Sequence, residues 1–219
     1  MTETFATRQQ ILDRVRKATA TGATAYESIP RAYIHRGSLN ADDKLDLMAL
    51  RLREYDAEVV ECAPSEIAVT IHAQLAASGK RTFAAPAGLS AQWMNREFEW
   101  RIDNGLAYAD LEATDGVVTA ASAGVADSGT IVLHHGPEEG RRVLSLLPDW
   151  HLCVLRASQI VETLPEYFAR FSKPPSLVTL ISGPSATADI EMTRIKGVHG
   201  PRFLNVVLVR DANKITHGA

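Results

Sequence analysis

Two short turns of small polar residues are where this sequence could do chemistry. Ser128-Gly129-Thr130 opens into the apolar run Ile131-Val132-Leu133-His134-His135, and Ser182-Gly183-Pro184-Ser185 follows the run Leu177-Val178-Thr179-Leu180-Ile181. Backbone N–H groups of the first turn could cradle an anion as a nest. Those after Gly183-Pro184 could do the same at the start of a short helix, capped by Ser185 and running through Ala186 to Glu191. Each turn also has a purely structural reading, as the entry to a core strand or as a capped helix start. On such a helix Asp189 and Glu191 are two residues apart and do not share a face, so at most one serves a site. Asp189 is the candidate, and it could equally fix a neighbouring turn. His199 sits in the corner Gly197-Val198-His199-Gly200-Pro201. There an imidazole can act as acid, base or ligand, or simply hydrogen-bond the corner in place.

Other chemistries lack their residues. A G-x-G-x-x-G after a strand, a G-x-x-x-x-G-K-[ST] loop and a G-x-S-x-G elbow are all missing. Cys62 and Cys153 stand apart with no CxxC, so this chain cannot by itself supply a cysteine-ligated iron–sulfur cluster. His134 and His135 would alternate across a strand and face opposite sides, which disfavours one shared metal. No metal site is expected. The net charge of -3, without a basic stripe, gives no case for nucleic acid. No window approaches the roughly 20 apolar residues of a membrane span. Met1-Thr2-Glu3-Thr4-Phe5 lacks the basic segment and apolar core of a signal peptide, so a reduced, cytoplasmic protein is the expectation.

The elements that must position these turns read as α/β, a mainly parallel sheet flanked by helices, with an N-terminal helical segment. The 219 residues suit one domain: a helical cap over 1–55, an α/β body over 56–210 and a polar tail over 211–219. Ile11, Val15 and Ala18 predict an amphipathic helix over 6–20, and residues 21–41 read as a loop or extended arm. Asp42 or Asp43 caps a second helix with Leu45, Met48, Leu52 and Tyr55 inward. Glu58–Cys62 predicts a strand. Ser65 caps a helix that buries Ile67, Ile71 and Leu75 and ends at Gly79. Arg81–Ala85 is a strand, and residues 87–105, with Trp93 and Trp100, read as a short helix and loop. Strands follow at Ile131–His135, His151–Leu155, Leu177–Ile181 and Phe203–Val209, with a helix over 158–171 that turns Ile160, Val161, Leu164 and Phe168 inward. Strand–helix–strand order at these lengths favours parallel pairing.

The stretch Ser182-Gly183-Pro184-Ser185-Ala186-Thr187-Ala188-Asp189-Ile190-Glu191, with Gly197-Val198-His199-Gly200-Pro201, resembles the signature of the LUD-domain family, and in particular its lactate utilization branch. Ala126-Asp127-Ser128-Gly129-Thr130-Ile131-Val132-Leu133 is similar to the family's other marked stretch, with Asp127-Ser128 where Glu-Thr is more usual. Ser145-Leu146-Leu147-Pro148 falls between the two. The resemblance implies a fold like that of the glucosamine-phosphate isomerase, ribose-phosphate isomerase and CoA-transferase group. It also implies a part in using L-lactate, beside two iron–sulfur proteins that together oxidise lactate to pyruvate. The clusters are then expected in those partner subunits, with no cofactor in this chain. The motif positions become the site candidates: His199 and Asp189 as catalytic groups, and Ser128, Gly129, Thr130, Gly183 and Ser185 around a small carboxylate or other anion. Whether the chain performs a chemical step of its own stays open. The alternative is a stand-alone enzyme acting on an anionic small molecule such as a CoA ester, sugar phosphate or folate.

Overall fold

β-Branched and aliphatic runs of five to seven residues set the centre of the fold, because such runs pack well on a pleated surface buried on both faces. The computed structural model describes residues 2–20, 28–173, 175–184, 186–187, 195–196 and 200–210. The chain falls into two units, residues 1–33 and residues 34–219. The first holds helix α1 (Thr2–Ala20), which leaves Ile11 and Val15 exposed.

In the second unit the helices are α2 (Ala41–Glu54), α3 (Ile67–Ala77), α4 (Tyr108–Glu112) and α5 (Leu164–Ala169). The strands begin with β1 (Glu58–Cys62), β2 (Thr82–Pro86), β3 (Glu99–Asp103), β4 (Gly116–Ala120), β5 (Ala123–Val125) and β6 (Thr130–Leu133). They continue with β7 (Trp150–Arg156), β8 (Ile160–Val161), β9 (Thr179–Ile181), β10 (Ala186–Thr187), β11 (Ile195–Lys196) and β12 (Phe203–Val209). Six of them form an all-parallel sheet in the order β1-β12-β7-β4-β2-β3. The parallel α/β expectation therefore holds.

Alternation along β12 divides the core in two. Val206 and Leu208 meet Leu45, Met48 and Leu52 of α2, together with Ile131, Leu133 and Leu155. Val207 and Val209 face the other way, onto Ile67, Ile71 and Leu75 of α3 with Phe83, Leu152 and Val154. Each such side chain contributes roughly 1.5–3 kcal/mol by leaving water. A smaller sheet, β8-β5-β6-β9, lies beside the α2 face, mostly antiparallel.

Several local expectations are corrected. The helix over 186–191 is not formed at its start: Ala186 and Thr187 pair antiparallel with Lys196 and Ile195. A hairpin suits β-branched Thr187 and Ile195 better than a single unsupported helical turn. The buried strand at 177–181 shrinks to β9, an edge strand with Leu180 46% exposed. Residues 87–105 hold a whole sheet strand, β3, after a 3-10 turn at Ala91–Trp93. The helix over 158–171 splits into β8 and α5, because Thr163 caps a new start and Pro165 sits in its first turn. Tyr167 is the buried residue of α5, and Leu164 and Phe168 are exposed. Asn40, not Asp42 or Asp43, caps α2 by accepting from both their amides at 2.9 and 3.0 Å. Tyr55 follows that helix and is 38% exposed. Ser65 falls in a 3-10 turn ahead of α3, where the Glu66 carboxylate takes the Ala63 amide at 2.9 Å. Residues 211–219 lie outside the described residues.

Candidate functional site

The sequence places Thr130 at the start of β6 and Ser182 just past β9, and the antiparallel register Ile131↔Ile181 brings the two together. Their hydroxyl oxygens are 2.7 Å apart, and Ser128 Oγ is 2.7 Å from Thr130 Oγ1 on the other side. The two polar turns are thus one structure, a row of three hydroxyls with buried Thr130 between exposed Ser128 and Ser182.

Both turns press on the end of α2, and two glycines make that possible. Gly129 has φ +60°, and a Cβ there would stand 2.7 Å from Arg51 Cβ. Gly183 has φ +82°, and its Cβ would stand 2.5 Å from Tyr55 Cβ. Arg51 Nε also donates to Asp127 O at 3.1 Å. The amide of Gly129 is committed, since it donates to Ala126 O at 3.2 Å. It is therefore not available to an anion nest, and Gly129 and Gly183 serve close approach of backbone to helix. Ser185, Asp189 and His199 lie outside the described residues.

The usual ligand position of an open parallel sheet, beyond the carboxyl ends of its strands, is filled by the protein's own loop 134–141. Gly88, just past β2, donates to Pro137 O at 2.9 Å, and Ala120, which ends β4, donates to Glu138 O at 3.0 Å. Asp103, which ends β3, takes a two-pronged bond from Arg141 at 2.8 and 2.6 Å. That guanidinium, helped by the Gly105 and Leu106 amides, holds the Asp103 carboxyl below the usual carboxylate range. Buried Glu139 accepts from Ser122 Oγ, and from the His134 amide at 2.6 Å.

The strand ends at Leu133, so His134 and His135 do not alternate on it; His135 takes φ +60°. His134 Nε2 pairs with Tyr167 OH at 2.7 Å. His135 Nδ1 donates to Gly140 O at 3.1 Å, because a carbonyl can only accept, which leaves Nε2 to accept from Thr179 Oγ1 at 2.7 Å. Among the described residues no group of three or more His, Cys, Asp or Glu is placed to hold a metal, and no helix is long and apolar enough to cross a membrane.

The turn at 182–184 instead borders a cleft of about 210 Å³ at the amino ends of the central strands. Ser182, Gly183 and Pro184 form one side, and Arg142, Ser145, Thr179, His151 and Leu204 complete most of the rest. His151 and Leu204 are the second residues of β7 and β12. His151 is fully buried, and burial pushes its imidazole down to about 4, so it is neutral at pH 7. Its Nε2 is 2.8 Å from Thr119 Oγ1, which also reaches Cys153 Sγ at 3.7 Å. Ser145 Oγ donates to Arg142 O at 3.0 Å and closes a 3-10 turn over Arg142–Ser145. The sequence does not single out Arg142, Ser145 or His151. None lies in a turn of small residues, and the only signal was Ser145-Leu146-Leu147-Pro148 between the two marked stretches.

A family model described as the LUD domain matches residues 5–209, which include both turns and the cleft. A Lactate utilization protein C of Deinococcus radiodurans is 37% identical over 163 residues, 73% of this chain and 76% of that one. Another protein of that name, from an Exiguobacterium species, is 28% identical over 95% of this chain and 98% of its own. The crystal structure of a DUF162 family protein from Deinococcus radiodurans has a TM-score of 0.65 and 31% identity, covering 78% of this chain and 99% of that one. By its matched length, its relatives and its fold, this chain belongs to the LUD-domain family.

Proposed function

We propose that this chain is a cytoplasmic component of a system that oxidises L-lactate to pyruvate, and that the iron–sulfur clusters of that system sit in partner subunits. The observation that carries the reading is the match over most of the chain to relatives named Lactate utilization protein C. Oxidising a 2-hydroxy acid to a 2-oxo acid releases two electrons and two protons, so an electron acceptor is required. Two cysteines cannot ligate a four-thiolate cluster. Both are buried, and burial pushes the Cys153 thiol up to about 12, which leaves it unreactive. The chain's part is to hold the small carboxylate or to dock the partners.

The test is an oxygen-free pull-down of the full-length tagged chain from lactate-grown cells. Iron-bearing partners and lactate-dependent dye reduction are the expected result. A chain that emerges iron-free, alone and inactive from cells that grow on lactate overturns the reading. A stand-alone enzyme on a CoA ester, sugar phosphate or folate draws less support, because it rested on two amide cradles and the Gly129 amide is already taken.

A further inference from the structure

We propose that the cleft between Arg142 and the Ser182 turn is a binding site for a small monocarboxylate bearing a 2-hydroxyl, with Arg142 as its anchor. This deepens the lactate reading and rests on it for the choice of probe. The class of ligand comes from the cleft itself.

Charge gives the first argument. The guanidinium of Arg142 makes no hydrogen bond or ion pair among the described residues, although the nearby Arg141 and Arg202 are each locked to an aspartate. No acidic residue is among the described lining residues. One planar cation with a fork of N–H donors suits one carboxylate. A phosphate dianion or a dicarboxylate would need a second cation, and the described lining supplies none.

Hydroxyl bookkeeping gives the second. Ser128, Thr130 and Ser182 hold three O–H protons and make two bonds among themselves. One O–H therefore remains unspent, and it lies at an end of the row when Thr130 donates to either neighbour. An anion beside Ser182 would orient the whole row toward itself, so that Ser182 donates to it and each bond behind strengthens the next. Ser145 and Thr179 have both spent their protons inward, on Arg142 O and His135 Nε2. Their oxygens can only accept, and a ligand hydroxyl is the donor they lack.

Size gives the third. The cleft of about 210 Å³ lies below the roughly 300–1,000 Å³ of pockets for drug-sized ligands. It corresponds to the liquid volume of about seven waters, enough to hold a ligand of about six non-hydrogen atoms. Ile181, Pro184 and Leu204 provide apolar wall for a methyl group.

The experiment titrates sodium L-lactate into the purified full-length chain by calorimetry, with inorganic phosphate at matched ionic strength as the comparison. Saturable lactate binding is expected, with phosphate much weaker. Arg142→Gln should weaken lactate binding roughly tenfold or more, the worth of a charged hydrogen-bonded contact, and Arg142→Lys should fall between the two. Unchanged unfolding midpoints confirm that the variants are folded. The proposal is overturned by a folded wild-type chain that does not bind lactate, by undiminished binding in Arg142→Gln, or by phosphate binding as tightly as lactate. Absent binding alongside an active pull-down removes the site and leaves the lactate role. Binding without iron-bearing partners removes that role and keeps the site.

Discussion

Thr130 and Ser182 stand 52 residues apart in the chain and share a 2.7 Å hydrogen bond. The bond joins the turns at 128–130 and 182–184 through the register of a four-stranded sheet separate from the central one. Two turns that look like independent anion cradles in the sequence are thereby one row of hydroxyls beside one cleft.

Thr130→Val keeps the shape of the buried residue and removes both bonds of the row. Ser128 and Ser182 are exposed and can turn to water, so the cost should sit near the middle of the range for neutral hydrogen bonds, about 1 kcal/mol in urea unfolding. Amide exchange at Gly183 should quicken in the same variant, because the turn loses its tie to β6. Unchanged exchange there would show that the row does not hold the turn.

Gly183→Ala should be far more costly than Gly79→Ala, although both glycines have positive φ. At Gly79, φ is +68° and nothing lies within 4 Å of an added Cβ, so only the left-handed penalty of roughly 1–2 kcal/mol applies. At Gly183 the new Cβ also meets Tyr55 at 2.5 Å, which adds an overpacking cost of about 1–3 kcal/mol. Equal unfolding free energies for the two variants would mean that the turn is not pressed against α2.

Much of this fold is legible in the sequence; central β4 is not, because glycine and alanine bound its short apolar run Gly-Val-Val-Thr-Ala, and the other unread strands share a different cause. Strands buried on both faces announce themselves as apolar runs, as at Val206–Val209 and Leu152–Leu155. Edge and short strands do not. β3 reads Glu-Trp-Arg-Ile-Asp and keeps only one face inward, and β8 is two residues beside a helix start, so Ile160-Val161 reads as part of that helix. Of the site, the turns at 128–130 and 182–184 are visible because glycine and hydroxyl residues cluster there. Their joining is not, since it depends on a pairing across 52 residues. Arg142 is hidden among charged neighbours, and only three-dimensional placement separates it from Arg141, whose charge is already bonded to Asp103.

Arg141→Met should release the loop 134–141 from the end of β3. Asp103 keeps only 1% of its side chain exposed and would retain its two amide donors, while Arg141 is 42% exposed, so a loss of about 2 kcal/mol at pH 7 is expected, below the range for a fully buried pair. The Asp103 carboxyl is held below its unfolded value, so its contribution is present above about pH 4 and disappears as pH falls through the folded value. The variant has less of it to lose. The stability gap between wild type and variant should therefore narrow from pH 7 to pH 3, and a constant gap would contradict the assignment.

His151 should give the protein a second, higher acid window. Its imidazole is buried and pushed from 6.5 down to about 4, so at pH 7 both folded and unfolded forms are neutral and the group contributes nothing. Between those values the unfolded chain takes a proton that the folded chain refuses. Stability then falls with each step toward acid, by about 3 kcal/mol in all, and levels off once the folded ring also protonates. The window lies above that of Asp103, so the two are separable in one series of unfolding curves. His151→Gln should flatten the decline between pH 6.5 and 4. Should that variant fail to fold, the ring signals of the wild-type protein decide: titration near 4 supports a dry, neutral imidazole against the cleft. Titration near 6.5 would mean that water reaches the ring, and that the cleft is more open than its 210 Å³ implies.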